Sequence, residues 1–247
     1  MPEPSPLPPL PVAEIERRLR WSVLSILSFI GILAVLMGAA LLPVLARPAR
    51  VSGLPEDPEA AEAARLLQGR LAPTAEGLRL VSALGGESPA SARPGADLDD
   101  RLQRGRALID ATRRRLRRDP RAEAALAAID LAQHRYASAE RHYRAALTRA
   151  PAYPEARLGL GVALALRAGT ERDPLILRGL LLRAIAQLAA VRPEDPEYDA
   201  ALYDRALLLR RVGRSDEARR WASAYLAHDS TSAWAPPMRE LAPGRGG

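Results

Sequence analysis

Cysteine, lysine and asparagine are absent from the 247 residues, and aromatic side chains make up only 4% of them, with a single Phe. Without Cys there is no disulfide, no thiolate metal ligand and no Cys nucleophile. Without Lys, neither Schiff-base chemistry nor a phosphate-binding P-loop can be built. All basic side chains are Arg, for which coding bias in a GC-rich genome is the simplest account. The three histidines are His134, His142 and His228. The first two belong to different expected helices, outside the i, i+4 spacing of a metal pair. There is no Gly-x-Ser-x-Gly elbow and no paired-carboxylate motif. The expectation is therefore a non-enzymatic protein with no cofactor and no metal. Ala and Leu dominate, and β-branched residues are sparse outside residues 21–46, so an all-α fold is expected.

What the sequence does contain begins with residues 21–46, a run without one charged side chain, bracketed by Arg17, Arg18 and Arg20 before it and Arg47 and Arg50 after it. A helix crosses the hydrocarbon core with ~20 such residues, and its backbone groups are satisfied within the segment. The run predicts a single transmembrane helix, with Trp21 at the interface. It is far longer than the apolar part of a signal peptide, and Pro43 and Arg47-Pro48 spoil a cleavage site at Val44-Leu45-Ala46, so an uncleaved anchor is expected. Three flanking Arg before the run against two after it favour a cytoplasmic N-terminus and an extracytoplasmic C-terminal domain. Ser28, Gly31, Ala34 and Gly38 lie close to one stripe, and Ala34 and Gly38 match the small-xxx-small pattern through which such helices form a homodimer.

The formal charge of +7 is unevenly spread. Residues 1–20 cancel, whereas residues 101–121 hold nine Arg against Asp110 and Asp119. Arg113, Arg114, Arg115, Arg117 and Arg118 form a candidate anion patch for anionic lipid or nucleic acid. No aromatics are interleaved as in a single-strand binder, so nucleic acid is disfavoured. A solvated helix face is the plainest reading.

Composition divides the chain into five parts. Residues 1–12 hold six Pro and predict an extended tail. Residues 13–46 are the juxtamembrane and transmembrane helix. Residues 47–97 read as a flexible Pro- and Gly-rich linker, with a helical island near 57–71 opened by Pro58. Residues 98–230 carry helical periodicity, and 231–247 read as a capping segment, broken over 234–241, and a disordered tail. In 98–118, Leu102, Gly105, Ile109, Thr112 and Leu116 mark one packing seam. Asp119-Pro120 ends that helix.

Residues 120–153 resemble a tetratricopeptide repeat (TPR), a helix–turn–helix unit of ~34 residues. Leu126 and Ala127 take the packing positions of the first helix, and Tyr136 and Ala139 sit at the close crossing. Tyr143, Ala146 and Leu147 line the second helix, and Pro151 closes the unit. The next unit starts near Pro154, with Leu160-Gly161 at the matching positions. It departs from the pattern through an insertion that includes 170–174, with Asp173-Pro174 capping a helix to about Val191. A third unit runs from about Asp199 with Leu202, Ala206, Gly213, Ala218 and Leu226. The helix at 98–118 reads as a leading half-repeat.

In such arrays the first helix of each unit lines the concave side. The resemblance places Ala124, Ala128, Leu131, Leu158, Val162, Ala165, Tyr203, Leu207 and Arg210 on that face, an apolar groove. TPR domains that clamp a C-terminal carboxylate resemble one another in using Lys and Asn, both missing here. The groove thus implies a protein partner presenting a helix or apolar segment. Its rival occupants are internal: the 57–71 helix, or a second copy of the chain. The expected function is a membrane-anchored interaction scaffold or assembly factor of the cell envelope. Its layout is similar to anchored repeat proteins that assist translocation or cytochrome maturation. The alternative is a basic peripheral module gripping anionic lipid or nucleic acid through residues 101–121.

Overall fold

The computed structural model describes residues 51–68, 77–84, 86–87 and 97–242. The chain divides into two compact units, Met1–Ala49 and Arg50–Gly247, and every described residue belongs to the second. The expected tail and the predicted span at residues 21–46 lie outside the described residues, as do 243–247. Among the described residues no helix is long and apolar enough to cross a membrane.

Asp–Pro pairs start three helices, because the Asp side chain accepts orphan backbone N–H groups and Pro needs none at the first position. Asp57 accepts from the amides of Glu59 and Ala60 and opens α1 (Pro58–Leu67). Asp119 caps α3 (Pro120–Ala132), and Asp173 caps α6 (Pro174–Leu188). The remaining helices are α2 (Leu98–Arg115), α4 (Tyr136–Arg149), α5 (Pro154–Gly169), α7 (Tyr198–Arg211), α8 (Ser215–His228) and α9 (Ala235–Leu241). Two short antiparallel strands, β1 (Val81–Ser82) and β2 (Gly86–Glu87), pair Val81 with Glu87 and Ser82 with Gly86.

The helices pack as antiparallel hairpins α1/α2, α3/α4, α5/α6 and α7/α8, each stacked on the next, with α9 closing the end against α8 and α7. The leading helix is therefore no half-repeat. The 57–71 island, seen as Pro58–Leu67, is its partner, and Leu67 meets α2 so closely that a Cβ on Gly105 would lie 2.7 Å from it. Leu102, Gly105, Ile109 and Thr112 face that contact and are buried, and Thr112 donates its hydroxyl to Asp57 at 2.8 Å. The segment 231–242 holds a helix with Met238 and Leu241 buried, rather than a broken stretch.

Within the repeats, Leu126, Ala127, Ala139, Tyr143, Ala146, Leu160, Ala206 and Ala218 are buried. Gly161 lies where a Cβ would sit 2.8 Å from Leu188, which fixes the α5/α6 approach. Tyr136 is half-buried and Pro151 exposed. The α3/α4 and α7/α8 turns both pass through the left-handed region, at His134 (φ 57°) and Gly213 (φ 82°). The extra residues of the second unit are distributed: α5 has 16 residues against 13 in α3, and a longer connector, 189–197, precedes α7.

Candidate functional site

The face that the resemblance assigns to a groove is covered by another part of the chain. Residues 77–84, expected within a flexible linker, lie against it, with β1 packed on α5 and Ala83 and Leu84 in a turn. Leu78, Leu80, Ser82 and Leu84 are buried while Val81 and Ala83 are half-buried. The buried set also includes Arg79. Leu78 and Leu80 share one hydrophobic cluster with Ala124, Leu131, Leu158, Val162 and Ala165. Leu84 shares another with Ala128. The helix α1, named as a rival occupant from the sequence, packs on α2 instead.

Three polar anchors hold the segment. Glu155 on α5 accepts from the Ser82 hydroxyl at 2.9 Å, the Ala83 amide at 3.0 Å and the Tyr153 hydroxyl at 2.8 Å. Burial pushes this carboxyl above the usual range, and the three donors only partly offset it. Asp204 on α7 accepts from the Arg79 amide at 2.7 Å. The Arg79 guanidinium enters a cage of rings, 5.8 Å from the centre of Tyr203, 5.6 Å from Tyr225 and 5.2 Å from Trp234. It also donates to the Tyr225 hydroxyl at 2.9 Å. The rings pack edge to face, Tyr203 with both Tyr225 and Trp234.

The groove residues expected from the sequence therefore divide. Ala124, Ala128, Leu131, Leu158, Val162, Ala165 and Tyr203 are buried, Leu207 is half-buried and Arg210 is exposed. The face is not purely apolar, since Glu155 and Asp204 sit in it. Glu155 precedes Leu158 and Val162 by three and seven residues, a helical spacing that could have placed it on their stripe. Arg79, Tyr225 and Trp234 lacked any such local signal.

The expected anion patch is broken up. Arg115 binds both oxygens of Asp57 at 2.8 Å and Glu59 at 2.6 Å, and this hydrogen bonding lowers Asp57 to about 2. Arg113 pairs with Asp110 at 3.2 Å. Arg114, Arg117 and Arg118 are exposed and make no ion pair among the described residues. Nearby, the buried Glu123 is lowered to about 2, first by His142, whose Nδ1 lies 2.8 Å away, then by Arg149 at 2.9 Å. Thus His142 belongs to a hydrogen-bond network between α3 and α4. Among the described residues no group of three or more His, Asp and Glu could hold a metal ion.

No family model matches the sequence, and no curated protein matches it. Among solved structures, the chain is similar to TTC0263, a thermophilic TPR protein of Thermus thermophilus. The TM-score is 0.50 at 22% identity, covering 58% of this chain and 72% of that one. Stacked helical hairpins and this likeness agree on one fold, an all-α TPR-like helical repeat.

Proposed function

We propose that this chain is a non-enzymatic interaction scaffold, tied to a membrane through residues 21–46, whose TPR-like domain captures a protein partner on its concave face. The observation that carries the reading is the groove itself. Its stripe of small and apolar side chains, with Glu155 and Asp204 between them, already accommodates an extended polypeptide through side-chain and main-chain contacts. Helical-repeat surfaces of this kind suit polypeptide ligands because they are long, concave and rigid. The uncharged run with its Arg flanks supports the anchor, and the flanking count supports a C-terminal domain outside the cytoplasm. The charge-driven alternative has only Arg114, Arg117 and Arg118 left to support it, and they do not form one continuous helix face, because α2 ends at Arg115.

A photo-crosslinking residue placed at Arg210 in the full chain, with a control at Arg178 on α6, tests the reading. Arg210 continues the stripe of Tyr203 and Leu207, and both crosslinking positions are exposed. The expected result is a discrete protein adduct at Arg210 only, kept at ~0.5 M salt and lost with Leu207→Glu in a still-helical chain. An adduct confined to lipid or nucleic acid and lost in salt would overturn the scaffold reading.

A further inference from the structure

The segment lying in the groove displays the chemistry that the groove recognises. We propose that the concave face is a binding site for an extended segment of another protein carrying the pattern Leu-Arg-Leu-x-Ser, and that residues 78–82 are the resident occupant such a partner displaces. The inference rests on the scaffold reading and deepens it by naming the ligand.

Four observations carry it. First, the segment is held as a bound peptide is held. Its main chain donates from Arg79 to Asp204 and from Ala83 to Glu155, while Leu78 and Leu80 pack into the hydrophobic cluster of the groove. Second, one side chain is recognised far more specifically than the rest. Arg79 is only 6% exposed, with three aromatic rings within 6 Å of its guanidinium carbon and a hydrogen bond to Tyr225. A desolvated cation–π cage favours the planar guanidinium. Third, two of the three donors to Glu155 come from the segment itself. A carboxylate buried this deeply adds little to a purely structural core, but it suits a site whose donors arrive with a ligand. Fourth, Leu207 and Arg210 extend the stripe beyond Tyr203 and stay half-buried and exposed, which gives a longer ligand contacts beyond those of the resident one. That surplus matters because a tethered occupant competes at an effective concentration on the order of 1 mM.

The test uses the full chain and a fluorescent peptide with the sequence of residues 77–87. Arg79→Ala in the chain removes the anchor of the resident segment. The variant should bind the peptide about ten-fold or more tightly than the native chain does, and changing the peptide's own Arg to Ala should weaken binding by at least as much. Trp234→Ala added to the Arg79→Ala chain should also weaken binding. An Arg79→Ala chain with native helix content that ignores the peptide would show that residues 77–84 are a permanent part of the core, and would overturn the proposal. Should that variant fail to fold, hydrogen exchange on the native chain decides. Amides of Arg79 and Ala83 exchanging well ahead of those in α5 would support local release, and exchange only through global unfolding would overturn it. A dimer in sedimentation, dissolved by the free peptide, would assign the groove to a second copy of this chain and overturn the partner assignment. A protein adduct at Arg210 without peptide binding would leave the scaffold reading standing and remove this one.

Discussion

The ring of Tyr143 on α4 occupies the space that a side chain on Gly159 of α5 would need: a Cβ there would lie 2.1 Å from Tyr143 Cζ and 2.5 Å from its hydroxyl oxygen. Tyr143 is fully buried, so the ring has nowhere to move. This contact joins the first and second TPR-like units, and it depends on a glycine that the repeat pattern does not single out, unlike Gly161.

Gly159→Ala should therefore destabilise the domain by about 1–3 kcal/mol, the cost of overpacking a closed core. Tyr143→Phe should act the other way. The Tyr143 hydroxyl is buried with no hydrogen-bond partner among the described residues, and removing an unsatisfied group recovers about 1 kcal/mol. Urea midpoints of the two variants check both signs. A neutral Gly159→Ala would mean that the α4/α5 contact is looser than described.

Stability should fall as pH rises from about 5 to 8, and Glu197 should be one cause. Burial pushes its carboxyl from 4.5 up to about 7. The folded chain then holds a proton that the unfolded chain releases, so this contribution is full below the unfolded value and lost as pH passes the folded one. Glu155, also raised by burial, acts in the same direction. Glu197→Gln should gain stability relative to the native chain at pH 8 and not at pH 4.5. Asp57 and Glu123, both lowered to about 2, act oppositely and only below their unfolded values, so they leave this window untouched. Denaturant titrations of both chains across the range would show the crossing curves.

His134 adopts φ 57° at the turn where the third unit has Gly213 at φ 82°. A side chain in the left-handed region carries a penalty of roughly 1 kcal/mol that glycine avoids. His134→Gly should raise the denaturation midpoint, less whatever is lost with the exposed hydrogen bond between His134 Nδ1 and the Tyr136 hydroxyl at 2.9 Å. A lower midpoint would show that this hydrogen bond outweighs the backbone strain.

The proposed orientation predicts that a compartment-sensitive reporter fused after Gly247 is active only outside the cytoplasm. Activity in the cytoplasm would invert the orientation and set Arg114, Arg117 and Arg118 on the side of the membrane rich in anionic lipid.

The features legible in the sequence are local ones. Pro58 and Asp173-Pro174 announced two helix starts, because capping involves groups within three residues of one another, whereas Asp119-Pro120, read only as a helix end, also caps the helix that follows. The seam of Leu102, Gly105, Ile109 and Thr112 announced a buried face, because helical periodicity repeats within a few turns. The all-α fold followed from composition, while the stripe from Ala124 to Tyr203 came only from the resemblance to TPR units.

Tertiary structure alone decided what those faces meet. It paired α1 with α2 across residues 68–97, gave Arg115 to Asp57 and Arg113 to Asp110, and laid Arg79 among Tyr203, Tyr225 and Trp234. Residues 78–84, Leu-Arg-Leu-Val-Ser-Ala-Leu, do not alternate apolar with polar side chains, and their short length between Gly- and Pro-rich stretches left them reading as linker. Short extended segments gain little from their own backbone and become ordered only when a preformed surface supplies partners. Here that surface exists only after four hairpins, distant along the chain, have stacked into one concave face.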